Sequence, residues 1–187
     1  MSNLNIESPG VGAAKDVASN RRIKYARPLV EKGFTFGPLT REDWPAVNGL
    51  VRKYISVPAD WRLTPNSLGI VVKNSKGALV AAVVTQVMTI DGKTLLIVSH
   101  LVTDPLHRGR GMATILLGML DNITGTAGAP APAMTVGFCA HAGIKLYRRA
   151  GFVVGDANSY TEPDPELPFP RMVTENSNYP YPFYRAW

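Results

Sequence analysis

One stretch of the sequence, residues 95–120, combines a strand, a turn and a helix in immediate succession. Residues 95–103 are rich in β-branched and apolar side chains, which predicts a buried strand, and Asp104-Pro105 ends it because proline donates no hydrogen bond to a sheet. From Met112 onward apolar residues recur at three- and four-residue spacing, which predicts a buried helix. A short glycine-containing turn therefore joins a strand end to a helix start.

This turn, Arg108-Gly109-Arg110-Gly111, has a composition that favours phosphate binding. The first turn of a helix has N–H groups without partners and the positive end of the helix dipole, and glycine lets a ligand approach the main chain. Two common nucleotide-binding patterns do not fit. The Walker pattern requires Lys and then Ser or Thr after its last glycine, where this chain has Met112-Ala113, and the dinucleotide pattern requires a third glycine where Thr114 stands.

A third pattern fits two segments of the chain. Residues 108–113 read Arg-x-x-Gly-x-Ala and follow Leu-x-x-Asp-Pro at the strand end. This segment resembles the acetyl-CoA pyrophosphate loop of the GNAT superfamily of N-acetyltransferases. Further along, Leu146-Tyr147 and Gly151-Phe152 are similar to the family's Leu-Tyr-x-x-x-Gly-Phe segment, in which a helix ends at a glycine before a strand. The two segments occur in the family's order.

The resemblance implies an α+β (mixed α/β) GNAT fold, with a mostly antiparallel central sheet of six to seven strands and helices on both faces. Local patterns predict the elements. Strands are expected at residues 34–36, 69–73, 79–90, 94–103, 134–139 and 152–154, and helices after Thr40, from Met112 and at residues 141–150. Turn sequences at residues 74–77 and 91–93 predict an antiparallel meander of the three strands they separate.

Composition divides the chain into three parts. Residues 1–32 lack periodicity and are predicted to be a flexible basic arm, and residues 33–155 form the acetyltransferase core. Residues 156–187 hold six prolines and seven aromatic residues, and we expect this segment to complete or wrap the domain. Residues 171–175 are the expected last strand, and residues 178–187 are expected to wrap the body or bridge to a second subunit in a homodimer.

Charge and hydropathy limit the ligands and the cellular locations that suit this protein. The net charge of +6 suits an anionic ligand, and the scattered basic residues leave nucleic-acid binding open without favouring it. No apolar run is long enough to span a membrane, and the first ten residues do not resemble a secretory signal. We therefore expect a cytoplasmic protein without a membrane contact. The single cysteine, Cys139, is consistent with that expectation.

The resemblance also implies roles for individual residues. Main-chain N–H groups of the loop and the first helical turn would hold the pyrophosphate, and the strand before the loop would pair with pantetheine and polarise the thioester. Tyr147 aligns with the tyrosine that protonates the departing thiolate. The donor-binding residues implied in this way are Leu101, Val102, Thr103, Arg108, Gly109, Arg110, Gly111, Met112, Ala113 and Thr114.

The general base is left open by the sequence. Family members often carry an acidic residue near the middle of the strand before the loop, where this chain has Ser99 and His100. His100 is the candidate base, because a histidine titrates near neutral pH, although it can equally be a core residue. His107 and His141 are weaker candidates. Ala140 departs from the family pattern, since it stands where many members have an asparagine that contacts pantetheine.

These features lead to two hypotheses. The preferred one is an acetyl-CoA-dependent N-acetyltransferase that needs no metal and acts on a primary amine, namely a small molecule, a protein N-terminus, a lysine or an aminoacyl-tRNA. Residues 57–62 are where we expect acceptor contacts, although Trp61 also suits a core position. The alternative is a GNAT-fold binding or structural module with weak or no catalysis, which docks a partner through its aromatic tail.

Overall fold

The computed structural model describes residues 24–90, 92–120, 123, 132–158 and 178–186. Its strands are β1 (Thr35–Pro38), β2 (Ser67–Lys73), β3 (Leu79–Ile90), β4 (Lys93–Thr103), β5 (Met134–Cys139), β6 (Val153–Val154) and β7 (Tyr181–Ala186). Its helices are α1 (24–31), α2 (Trp44–Tyr54), α3 (Met112–Met119) and α4 (Ile144–Arg149). None of the helices in this part of the chain is long and apolar enough to cross a membrane.

The seven strands form one sheet in the order β1-β2-β3-β4-β5-β7-β6. Every neighbouring pair is antiparallel except β4 and β5, which are parallel. The predicted mostly antiparallel sheet is therefore confirmed. The predicted bounds of β3 and β5 agree with the structure, and β4 begins one residue earlier than predicted.

Helices cover both faces of the sheet, as predicted. Alternate residues of β3 point to opposite faces, so that Val83 packs in the cluster that contains α1, α3 and α4, whereas Val84 packs in the cluster that contains α2. Asp43 fixes the start of α2, because its carboxylate accepts hydrogen bonds from the N–H and hydroxyl of Thr40 and pairs with Lys73 Nζ at 2.7 Å. Thr40 stands at the N-cap of the short 3-10 turn, Arg41–Asp43, that leads into α2.

The parallel pair of strands separates partway along its length. Residue pairing runs from Leu95 opposite Met134 to Val98 opposite Gly137 and stops there, although both strands continue. On the other edge of β4, Thr85 pairs with Val98 and Val84 with His100, which leaves Ser99 as an extra residue in a β-bulge. A bulge bends the strand that carries it. The two strands therefore diverge where the bulge lies, and a cleft opens between them.

The C-terminal segment completes the sheet. Tyr181–Ala186 inserts as β7 between β5 and β6 and pairs with both, so these residues are a strand where we expected a segment that wraps the surface. The expected strand at residues 171–175 lies outside the described residues. Phe183 is fully buried and faces Gly137 of β5, where a Cβ atom would come within 2.5 Å of the phenyl ring. A glycine is required at position 137 because the ring occupies the space above it.

The N-terminal arm was expected to be flexible through residue 32, but residues 24–31 are helical. Leu29 is buried in the main core and Ala26 packs against it. The tyrosine of this helix, Tyr25, lies against Gly111 of the glycine-rich turn. Ala26, Leu29 and Tyr25 therefore pack the helix against the domain. The basic residues around these three made the helix hard to predict from the sequence.

Phe183→Ala should lower the free energy of unfolding by about 3–5 kcal/mol, because it leaves a large cavity beside Gly137 in a buried strand. Val153→Ala, on the neighbouring strand at an exposed position, is the control and should change the free energy by less than about 1 kcal/mol. Urea denaturation at neutral pH measures both. A loss below about 1 kcal/mol for Phe183→Ala would show that β7 adds little to the core.

Candidate functional site

The divergence of β4 and β5 opens a cleft of about 690 Å³. Its walls are the separated ends of the two strands, the start of α4 and the loop that follows α2. A second cavity of about 470 Å³ lies over the glycine-rich turn and the start of α3. The two cavities share Thr103, Arg108, Ala113 and Leu146 as lining residues, so they adjoin one another.

The main-chain N–H groups at the start of α3 are available to a ligand. Gly109 and Gly111 have φ angles of 75° and 82°, in the left-handed region that favours glycine, and no side chain caps the helix. Within the described part of the chain, no oxygen accepts a hydrogen bond from the N–H groups of residues 109–114. Such a set of donors at a helix N-terminus suits an anion such as a diphosphate.

The two arginines of the turn are placed differently. Arg108 Nε donates a hydrogen bond to the carbonyl of Thr103 at 3.1 Å, and Arg108 lines both cavities. Arg110 Nη2 donates to the carbonyl of Leu106 at 3.4 Å, and Arg110 lines neither cavity. The structure therefore brings Arg108 to the site and leaves Arg110 beside it.

Asp104 holds the start of the turn. Its carboxylate accepts hydrogen bonds from the N–H of Leu106 at 2.9 Å and from the hydroxyl of Tyr54 at 3.0 Å. These hydrogen bonds, with that from Leu106 the strongest influence, lower the pKa of Asp104. Because Tyr54 lies at the end of α2, the aspartate ties that helix to the strand end that enters the glycine-rich turn.

The end of β4 presents main-chain groups to the cleft. The N–H of Asp104 donates to the carbonyl of Val80 in β3, whereas the carbonyl of Thr103 accepts from Arg108 on the opposite edge of β4. Since main-chain groups alternate between the two edges of a strand, Leu101 shares the open edge with Thr103, and Val102 faces β3. Val102 is also buried in the α2 cluster. Leu101 and Thr103 line the cleft and Val102 does not.

Tyr147 lies at the floor of the cleft. It is 6% exposed, its ring stacks on Phe183 at 3.8 Å between centroids, and Phe152 packs edge-on at 5.7 Å. Burial raises the pKa of this phenol, with a smaller contribution from Cys139, so the hydroxyl stays protonated at physiological pH. The sequence did not single out Phe183, whose contact with Tyr147 depends on β7 lying beside β5.

His100 lines the cleft immediately after the bulge at Ser99. The ring packs against Trp61, with 4.4 Å between ring centroids, and its Nδ1 is buried without a hydrogen-bond partner among the described residues. Burial lowers the pKa of His100 to about 4, because the protonated ring would lose hydration in the protein. The histidine is therefore neutral near pH 7, and Nε2 is the nitrogen left for a molecule in the cleft.

The other candidate residues lie at the edges of the site. His107 lines the second cavity, where it packs edge-on against Phe34 and lies 3.7 Å from Asp104. His141 is exposed and shares a 3.2 Å hydrogen bond with the hydroxyl of Tyr181. Ala140 lines the cleft at the start of α4, so the position where many family members have an asparagine does face the cleft.

Two residues that the sequence did not assign to the site line its cavities. Tyr25 contributes to the second cavity from α1, and its ring would lie 2.6 Å from a Cβ atom at position 111. Tyr179 lines the first cavity just before β7. Neither carries a motif, because each reaches the site only through the packing of a terminal segment. Trp61 lines the first cavity as well, in the region where acceptor contacts were expected.

The buried histidine predicts a pH dependence of stability. The unfolded chain takes up a proton at His100 near pH 6.5, whereas the native state does so only near pH 4, so this contribution to stability is complete above pH 6.5 and is lost as pH falls toward 4. Between pH 7 and 4.5 the protein should therefore lose about 2 kcal/mol more than His100→Phe. Urea denaturation at the two pH values measures this difference. His141→Asn, at an exposed site, is the control, and equal losses in the protein and His100→Phe would contradict the prediction.

Comparison with known proteins finds matches in structure and none in sequence. No protein-family model and no curated protein sequence matches the chain. The structure is similar to that of the ribosomal-protein-S18-alanine N-acetyltransferase from Escherichia coli, with a TM-score of 0.53, 17% identity, and 81% of this chain and 90% of that chain covered. It is also similar to Arabidopsis thaliana NAA60 in complex with acetyl-CoA, with a TM-score of 0.56, 13% identity, and 81% and 96% coverage.

A third match is a GCN5-related glucosamine N-acetyltransferase region in a fungal multi-domain β-N-acetylglucosaminidase. The TM-score is 0.52 at 17% identity, and the match covers 70% of this chain and 19% of that chain. The three matches are similar to this chain in structure and share little of its sequence. This chain has the GNAT fold, the fold of the GNAT-family N-acetyltransferases.

Proposed function

We propose that this protein is an N-acetyltransferase that transfers an acetyl group from acetyl-CoA to a primary amine by direct attack on the thioester. The observation that supports this proposal most is the adjoining pair of cavities, one over free helix N–H donors and one between diverging strands. A ligand with a diphosphate at one end and a reactive thioester at the other fits this geometry. The N-acetyltransferases of similar structure include one solved with acetyl-CoA.

The diphosphate of the donor would bind the N–H groups at the start of α3. Gly109, Gly111, Met112, Ala113 and Thr114 line the cavity there, and Arg108 adds a positive charge at its junction with the cleft. The pantetheine arm would then run along the open edge of β4. Leu101 and Thr103 offer main-chain groups on that edge, and one N–H directed at the thioester oxygen would stabilise the negative charge that forms during attack.

The transfer step needs an acid for the leaving group. The amine nitrogen forms a bond to the thioester carbon, the carbon–sulfur bond breaks, and the sulfur leaves with the electron pair. Tyr147 is the proposed acid, because its hydroxyl is protonated and its ring lines the cleft. A thiolate in a poorly hydrated cleft is destabilised, so it takes the phenol proton, and the proton released by the amine restores the tyrosine.

His100 is proposed to receive the acceptor amine. In the tautomer that carries its proton on Nδ1, the neutral ring accepts a hydrogen bond from the amine through Nε2, which orients the amine's lone pair toward the thioester. A ring that holds a proton only below about pH 4 does not retain one taken from a strongly basic ammonium. The amine therefore has to enter the cleft in its neutral form.

The acceptor and the cellular setting remain expectations from the sequence. Primary amines on small molecules, protein N-termini, lysines and aminoacyl-tRNA are the candidates, and one of the N-acetyltransferases of similar structure is named for an alanine of a ribosomal protein. A cytoplasmic location and a homodimer through the C-terminal segment also stay predictions. The alternative of a docking module has less support, because residues 181–186 of the aromatic tail pair with strands of their own sheet.

Acetyl-CoA should raise the melting temperature of the protein, and Thr114→Glu should remove that rise. A carboxylate at this position stabilises the start of α3 through the helix dipole but repels a bound diphosphate, so the ligand-free variant stays folded. Thermal melts with and without acetyl-CoA measure binding, and thiol release with a panel of amines measures transfer. Thr114→Gln is the matched control, since it has the same size without the charge, and should keep most of the rise.

Two outcomes would count against the proposal. A full rise with Thr114→Glu would show that the donor does not bind at the start of α3. A rise in melting temperature without thiol release from any amine would favour a binding module over an enzyme.

Tyr147→Phe should lower kcat by about a hundredfold and leave the dissociation constant of acetyl-CoA nearly unchanged. The substitution removes the proton donor and keeps the ring that stacks on Phe183, so the fold should persist. Steady-state thiol release gives kcat, and thermal melts give binding. Tyr181→Phe, which removes a hydroxyl at the edge of the site, is the control. An unchanged kcat in Tyr147→Phe would mean that the tyrosine serves packing only.

A further inference from the structure

The cleft between β4 and β5 has an unusual charge pattern for a protein that would bind amines. Among the described residues that line it, Arg108 is the only one with a full charge near pH 7, and none is Asp or Glu. The other titratable side chains there are His100, Cys139, Tyr147 and Tyr179. Burial lowers the pKa of His100 to about 4 and raises that of Cys139 to about 11, so both are neutral near pH 7.

The wall formed by the loop after α2 is mostly apolar. The loop after α2 contributes Ile55, Val57 and Pro58, and the Trp61 ring packs against the His100 ring with an angle of 59° between the two planes. Val57 and Trp61 also pack on the α2 cluster, which fixes the loop against the sheet. This wall offers an acceptor a surface for apolar and aromatic contact. It offers no carboxylate from the described residues to a positively charged amine.

A cationic acceptor would be disfavoured twice in such a cleft. An ammonium group loses hydration on entry without gaining an anionic partner among the described lining residues. It must also lose its proton before it can attack the thioester. At pH 7.5 a lysine-type amine with a pKa near 10.4 is neutral in roughly one molecule in a thousand, whereas an α-amino group with a pKa near 7.7–8.0 is neutral in roughly a third.

We propose that the acceptor is a weakly basic primary amine carried next to an apolar or aromatic group, such as the α-amino group of a hydrophobic amino-acid derivative, and not a polyamine or a lysine side chain. This inference rests on the proposed function and specifies its substrate class. The apolar group packs between the loop after α2 and Trp61, and the neutral nitrogen lies near His100. The selectivity then comes from ionisation and desolvation of the amine.

Three acceptors test the proposal with the full-length protein and acetyl-CoA at pH 7.5. Phenylalaninamide and phenethylamine carry the same aromatic group, but the amide lowers the basicity of the first amine, and spermidine is a polycation. Thiol release should give a kcat/KM at least about tenfold higher for phenylalaninamide than for phenethylamine, with spermidine lowest. The gap between the two aromatic amines should narrow as pH rises toward 9.5, because the stronger base becomes neutral.

A variant tests the role of charge in the cleft directly. Ser56 lines the cleft and is exposed, so Ser56→Asp adds a carboxylate with little effect on folding, and Ser56→Asn is the uncharged control of the same size. Ser56→Asp should raise the ratio of kcat/KM for spermidine to that for phenylalaninamide at least about fivefold over Ser56→Asn.

The possible results separate the two proposals. Turnover that favours spermidine or phenethylamine over phenylalaninamide at pH 7.5 would overturn the acceptor class and leave the acetyltransferase in place. An unchanged ratio in Ser56→Asp would also overturn the acceptor class. Absence of thiol release with all three amines, despite stabilisation by acetyl-CoA, would overturn the acetyltransferase together with the acceptor class.

Discussion

The site depends on a parallel strand pair that stops pairing after four residue pairs. β4 and β5 hold each other from Leu95 to Val98 and then separate, so each strand keeps a free edge of polar main-chain groups. Unpaired main-chain groups are costly in a buried place, and they persist here because they line a cleft. The bulge at Ser99 bends β4 at this point, and it places the next residue, His100, in the wall of the cleft.

β7 supports the wall of the cleft that β5 forms. Because β5 has no β4 partner beyond Gly137, its last residues rely on β7, which pairs with it as far as Cys139 opposite Tyr181. Phe183 of β7 fills the space over Gly137 and at the same time supports the ring of Tyr147. One buried phenyl ring thus connects the C-terminal strand, the divergence of the sheet and the proposed acid.

The sequence predicted the fold and the position of the glycine-rich turn well because both depend on local patterns. Strand alternation, turn residues and the spacing around Gly111 are visible within short windows, and they located β3, β5 and the start of α3 correctly. The contributions of Tyr25 and Phe183 depend on segments far apart in the chain, so no window contains them. A proline-rich tail also gives a weak strand signal, and residues 181–186 were therefore not predicted as a strand.

Burial shifts the pKa values of the two proposed catalytic groups, Tyr147 and His100, in opposite directions. Burial disfavours the charged form of each, which keeps the phenol of Tyr147 protonated and the ring of His100 unprotonated. Over the whole physiological pH range, Tyr147 therefore carries a proton that it can donate, and His100 has a lone pair that can accept a hydrogen bond. Neither residue has a charged partner among the described residues that line the cleft. A carboxylate beside His100 would raise the pKa of the imidazole and favour its protonated form, which has no free lone pair. Because burial keeps the ring of His100 neutral and the described lining holds no acidic residue that would raise its pKa, the ring retains the lone pair that the proposed role requires.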